Sequence, residues 1–236
     1  MSSIKSYNLN TNFSDNQSKT IPRWTFSENL IGIKGLKIKN AMIPLTLNNI
    51  DTYNNVISIT ETISATTYAN TITLPVGQYN SSNIKTQLQT SMNSLGNLYY
   101  TVGFNTFGNA LTISNSTGTF SINSVGNNAY DELGFGYVTV QTNYTTSSID
   151  LSGIKQLNVV SNLNAVNVVG QNYSILCSIP IEESLNTIST FTDDGNDYVE
   201  IDREELCNVE LSLRDEVFRP INCNKDWNIT INFLTD

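Results

Sequence analysis

The chain has 236 residues and a mass of 26.1 kDa, long enough to bury a core without crosslinks, and with 39% apolar and 14% charged residues it is too polar for a membrane protein and too uncharged for a disordered one. With 12 Lys and Arg against 21 Asp and Glu, the net charge of -9 excludes binding nucleic acid across the whole surface, so any such contact is local. His is absent, which removes the commonest general base and metal ligand, and only 14% of residues are charged. Asn fills much of the gap at about one residue in seven, and an amide- and hydroxyl-rich chain favours turns and half-buried strands. Cys177, Cys207 and Cys223 are far apart and form no C-x-x-C, so neither a disulfide framework nor a zinc site is expected, and a reducing compartment is the simpler inference. No apolar leader and no membrane-spanning stretch is read in the sequence, so neither export nor insertion is expected.

Residues 1–20 are polar, with apolar side chains only at scattered points such as Ile4, Tyr7, Leu9 and Phe13, and read either as an arm ordered by a neighbour or as a disordered leader. Strand signals begin at Ile21: Leu36, Ile38, Asn40 and Met42 alternate with Lys37, Lys39, Ala41 and Ile43, and Pro44 closes the run. Residues 56–62 alternate again through Ile57 and Ile59, and residues 71–74 precede a turn at 75–77. One helix is predicted over 81–95, with Ile84, Leu88, Met92 and Leu95 on one face, Asn80 or Ser81 as N-cap and Gly96 as C-cap. Short runs follow through Tyr100, Val102 and Phe104, then Leu111 and Ile113, then Phe120 and Ile122, separated by hairpin-like turns. The last third holds the clearest strands: Ile175, Cys177 and Ile179; Cys207, Val209, Leu211 and Leu213; Trp227, Ile229, Ile231 and Phe233.

Between Thr62 and Ile149 the only charged residues are Lys85, Asp131 and Glu132, whereas residues 182–226 are dense with charge. The expected organisation is an N-terminal region 1–20, a β-sandwich in two parts, 21–63 and 151–236, and a neutral inserted lobe at 64–150. The fold class is all-β: a single jelly roll, meaning a two-sheet antiparallel sandwich, carrying a small β-α-β subdomain with one helix.

Four segments carry a family resemblance: residues 36–44 (LKIKNAMIP) leading to Asn48, Asn49 and Ile50; residues 72–79 (ITLPVGQY) followed by the helix; residues 131–135 (DELGF); and residues 209–216 (VELSLRDE) through 226–233 (DWNITINF). In this order they resemble the penton (minor capsid) proteins of virophages and polinton-like viruses, although Leu45 stands where the family has a small hydrophilic residue. The resemblance implies a homopentamer at the icosahedral five-fold vertices of a virion, in contact with neighbouring major capsid proteins, assembled in a reducing host compartment such as the cytoplasm, with no catalysis and no cofactor. A closed ring joins two different faces of one subunit, which calls for charges of both signs along an edge, and Arg203, Glu205, Arg214, Asp215 and Arg219 offer them. Ile4, Tyr7 and Phe13 of the arm and Lys37 and Lys39 of the early strand complete the interface candidates. The alternative is a β-sandwich module whose Asn- and Thr-rich lobe binds a receptor or glycan.

Asp193, Asp194, Asp197 and Glu200, with Asp202 beyond, form the one carboxylate cluster with hard oxygen ligands for Ca²⁺, but the spacing is not that of an EF-hand and a solvated loop competes with the metal reading. G-x-S-x-G and G-x-x-x-x-G-K-[ST] are absent, and no G-x-G-x-x-G opens a helix. Lys34, Lys37 and Lys39 form the only basic stripe, readable as a local contact to genome or an anionic neighbour, or as protection of a strand edge from mispairing. Tyr99, Tyr100, Phe104 and Phe107 lack the nearby cations of a single-strand platform and read as core.

Overall fold

The structure, a computed structural model, describes residues 3–123, 128–136, 138–163, 174–182 and 186–236. The chain divides into two compact units, Met1–Leu47 with Ile154–Asp236, and Asn48–Gly153. In chain order, β1 (Ser3–Asn10) and β2 (Arg23–Pro44) belong to the first unit. The second unit contains β3 (Val56–Ile63), β4 (Thr66–Thr73), α1 (Ser81–Asn93), β5 (Tyr100–Asn105), β6 (Ala110–Asn115), β7 (Thr119–Ile122), α2 (Tyr130–Leu133), β8 (Val138–Gln141) and β9 (Asn143–Thr145). The chain then returns to the first unit as β10 (Gln156–Ser161), β11 (Ser174–Pro180), β12 (Ile188–Thr192), β13 (Val199–Arg214) and β14 (Asn228–Thr235).

Every strand pairing in the first unit is antiparallel, in the order β1-β14-β2-β13-β10-β11, with β12 also on β2. The 22-residue β2 is the spine: β13 pairs with it from Arg23 to Leu36, β12 from Asn40 to Pro44, and β14 lies along its other side from Ile33 to Met42. Beyond Glu210 the strand β13 leaves β2 and continues against β10, so one strand serves both layers of a sandwich. Residues 3–20 are not a free arm. β1 pairs with β14 in unbroken register from Ser3↔Thr235 to Asn10↔Asn228. Trp227 donates its indole N–H to the Lys19 carbonyl at 3.0 Å, and Trp24 donates its own to Asn10 at 3.1 Å.

Bulges reset the faces that simple alternation assigns. A register shift at Thr230/Ile231 skips Lys39 on β2, so Leu36 and Ile38 face the core but Ala41 and Ile43 replace Asn40 and Met42, which turn outward. A second shift between Leu206 and Asn208 puts Cys207 in solvent while Val209, Leu211 and Leu213 stay inside. β14 has no such interruption within its alternating run, and Ile229, Ile231 and Phe233 are all buried.

The second unit starts before residue 64, at Asn48, because β3 pairs with β4 and β7 rather than with any strand of the first unit. Its sheets run β4-β3-β7-β8 and β5-β6-β9. Asn80 caps α1 by accepting from the backbone N–H groups of Ser82 and Asn83, and the Asn83 side chain returns a bond to the Asn80 N–H, closing a capping box. Ile84, Leu88 and Met92 form the buried stripe, and the helix stops at Asn93, ahead of Gly96. Gly134 ends α2 in a left-handed conformation, with the Ser147 carbonyl so close that no Cβ fits, and Phe135 beyond it stacks on Tyr144 at 6.3 Å.

Within this unit the residues behind the resemblance meet one another. Asn49 accepts from the Tyr79 N–H at 2.8 Å and donates to the Tyr79 and Leu151 carbonyls, while Ile50 and Gly77 exchange backbone bonds. Glu61 is fully buried and accepts from Tyr100 Oη, Asn70 and Asn97 at 2.7–2.9 Å.

Candidate assembly surface

Lys37 and Lys39 do not guard an open edge: β14 runs along one side of β2, and on the other they sit between the end of the β13 ladder at Leu36 and the start of the β12 ladder at Asn40. There the loop joining those strands bonds the Lys39 carbonyl through the Asp193 N–H. Lys37 is only 5% exposed. Its ammonium donates to the carbonyls of Gly195 and Asp193, lies 3.9 Å from the Asp193 carboxylate and stands 5.6 Å above the Tyr198 ring. Lys39 donates to the Asp193 carbonyl at 3.0 Å and the Asp194 carboxylate at 2.5 Å, and this bond holds the Asp194 carboxyl below its ordinary range. The pair thus clamps the loop between β12 and β13 onto the sheet. Gly35 makes room for it, because a Cβ there would sit 3.0 Å from the Tyr198 Cβ. Lys34 pairs with Asp236 at 3.7 Å instead.

A second latch closes the turn after β13. Asp215 is buried to 2% exposure and accepts from the N–H groups of Val217 at 3.0 Å and Arg219 at 2.7 Å, and from Arg219 Nε at 2.5 Å. Arg214 donates to the Phe218 carbonyl at 2.7 Å. Three residues expected to line an edge therefore build one turn, and Asp215 lies beneath it rather than on it. The side chains that this turn shows to solvent, Val217 and Phe218, were not expected from the sequence.

The remaining candidates are dispersed. Ile4 is exposed on β1, and Phe13 projects from a 3-10 turn at 76% exposure. Tyr7 turns inward onto Phe26 at 4.7 Å and Phe233 at 5.9 Å, so it belongs to the core. Arg203 and Glu205 are exposed on β13 opposite Ile33 and Ile31, and Asn29 donates to Glu205. The carboxylates considered for Ca²⁺ are not gathered: Lys37 and Lys39 engage Asp193 and Asp194, Asp197 and Glu200 point to solvent, and the side chain of Asp202 lies outside the described residues. Among the described residues no group of three or more acidic or cysteine side chains is placed to hold a metal ion.

Asp197 and Glu200 instead rim a recess of about 620 Å³ whose walls include Lys34, Tyr198, Ile201 and Leu234. The three cysteines are free, and burial pushes the Cys177 and Cys223 thiols up to about 12, with the Asp193 charge adding to the shift of Cys177. Among the described residues no helix is long and apolar enough to cross a membrane. Of the aromatic residues weighed as a platform, Tyr100 is core, while Tyr99 and Phe107 are exposed.

These ladders define a class, an all-antiparallel jelly roll interrupted by a compact unit that carries the long helix. No model of a known family matches the sequence, and no curated protein matches it. Among solved structures, the selenomethionine-labelled mavirus penton protein is similar with a TM-score of 0.53, over 99% of this chain and 99% of that one, at 10% sequence identity. The chain shares that protein's jelly-roll fold along essentially its whole length.

Proposed function

We propose that the chain is a penton protein, a minor capsid component that forms homopentamers at the five-fold vertices of an icosahedral virion and contacts the surrounding major capsid protein. Its role in this reading is structural, with no catalytic step and no cofactor. The observation that carries it is the likeness of fold to the mavirus penton protein along the whole of both chains. The order and mutual contacts of Asn49, Ile50, Gly77 and Tyr79 add to it, since these are residues on which the family resemblance rests. The free thiols accord with assembly in a reducing compartment.

Light scattering over a concentration series tests the reading. Five copies of a 26.1 kDa chain give a particle of about 130 kDa, and a trimer counts directly against the vertex role. One feature favours a second reading, a glycan- or receptor-binding head. Phe107 is fully exposed at the tip of the β5–β6 hairpin, where Asn105 accepts from its N–H at 3.0 Å and fixes the turn. Binding on a glycan array that is lost in Phe107→Ala would support this head.

A further inference from the structure

Nine described residues have a left-handed backbone, of which four are Gly and two are Asn. Phe218, at φ 65, is the only aromatic among them, in a chain that uses Gly or Asn at most such positions. The strain is imposed by Asp215, which takes three N–H bonds from the turn, and by Arg214 on the Phe218 carbonyl. The latch holds two adjacent apolar side chains in water, Val217 at 63% and Phe218 at 36% exposure. Gly adopts this backbone without strain, so a phenyl ring kept there and left partly in water points to a use outside the fold.

We propose that this turn is a knob that seats in the 620 Å³ recess at the start of β13 on a neighbouring copy of the chain. The inference rests on the assembly reading above and names its contact. Tyr198, Ile201 and Leu234 give the recess apolar walls of a size suited to a small apolar group. The side chains of Asp197 and Glu200 at its rim make no hydrogen bond or ion pair among the described residues. The charges match: Arg214 and Arg219 flank the knob opposite the rim carboxylates Asp197 and Glu200, while Lys34 on the recess wall is already paired with Asp236. Both guanidinium groups are already held by the turn, so little side-chain freedom is lost on contact.

The recess lies at the first residues of β13 and the knob just past its last, separated by a strand of 16 residues, roughly 50 Å of extended chain. The contact therefore runs between copies. It joins two different faces, the head-to-tail arrangement that closes into a ring.

The test uses two full-length variants, Phe218→Gly, which empties the knob and relieves its backbone, and Asp197→Arg with Glu200→Arg, which reverses the rim. Unchanged or higher thermal stability of Phe218→Gly shows that any loss of assembly is not misfolding. Each variant alone should sediment as a monomer, with self-association weakened at least tenfold. Their equimolar mixture should form a 1:1 heterodimer of about 52 kDa, since one copy keeps its knob and the other its recess. A wild-type pentamer left intact by Phe218→Gly overturns the knob and leaves the penton reading standing. A wild-type oligomer of another size that Phe218→Gly dissolves overturns five-fold assembly and keeps the contact. A wild-type chain that stays monomeric, with no heterodimer on mixing, overturns both.

Discussion

In the first unit the buried charged side chains are met by opposite charge, Lys37 by Asp193 and Asp215 by Arg219. In the second, Asp51, Glu61, Lys85, Asp131, Glu132 and Asp150 are the only charged residues, and amides do the same work. Asn49, Asn54, Asn55, Asn93 and Asn109 each bond backbone groups that the sheets leave over, and the buried Glu61 is held by two amides and a phenol. An amide suits this work because it donates and accepts at once without the desolvation penalty of a charge. The contrast also puts the features that can pair by charge, both latches and the recess, in one unit.

The contrast can be broken most severely by removing an anchor of the first unit. Trp227→Ala should cost about 3–5 kcal/mol, since the indole is 1% exposed and packs edge-on against Trp24 at 6.0 Å. Both tryptophans lie in this unit, so loss of Trp24 emission in a denaturant titration reports its unfolding. In the second unit, Glu61→Ala orphans the buried Tyr100 hydroxyl and two half-buried amides and should cost about 3 kcal/mol, read by hydrogen exchange of β3, whereas Glu61→Gln keeps an acceptor and should cost less.

Alkaline pH separates the two units. Cys223 and Cys177 have an ordinary value of 9.0 and are raised to about 12 in the folded chain, so stability is complete below pH 9 and is lost as the unfolded thiols ionise above it. Cys223, the deeper of the two, should account for about 1 kcal/mol per pH unit above 9. Tyr100 is raised by burial, then by its bond to Glu61 and that residue's charge, so the second unit weakens only above its ordinary value of 10.0. Denaturant midpoints from pH 8 to 11 should fall first by Trp emission and about one unit later by exchange at β5. The smallest effect is expected for Asp194→Asn, which removes the ion pair to Lys39 but leaves the Lys39 bond to the Asp193 carbonyl: amide exchange at residues 193–195 should quicken with no resolved change in melting.

Much of this was legible in the sequence. Helix α1 was, because Asn80 and the spacing of Ile84, Leu88 and Met92 are local signals, and so was β14, whose alternation no bulge disturbs. β1 was not, because only Tyr7 and Leu9 face inward and it is β14, more than 200 residues away, that makes a strand of it. Alternation alone puts Asn40, Met42 and Cys207 on the same face as their apolar neighbours for the same kind of reason, since a bulge is a property of the partner's register and leaves no mark on its own strand. Of the assembly surface, Arg214, Asp215 and Arg219 were picked out as charges, but nothing local distinguishes a buried latch from a solvated edge. Phe218 gave no signal at all, because its importance lies in a dihedral angle.

The pairing of β1 with β14 sets a timetable for synthesis. Every strand of the second unit finds its partners between residues 48 and 153, so that unit can close while the ribosome is still making the rest. β1 must wait, unpaired, for β14 more than 200 residues later, and β2 for β12, β13 and β14 in turn. The early-folding unit thus shortens the effective loop between the two halves of the sandwich, and an insertion that interrupts the jelly roll in sequence helps to complete it in time.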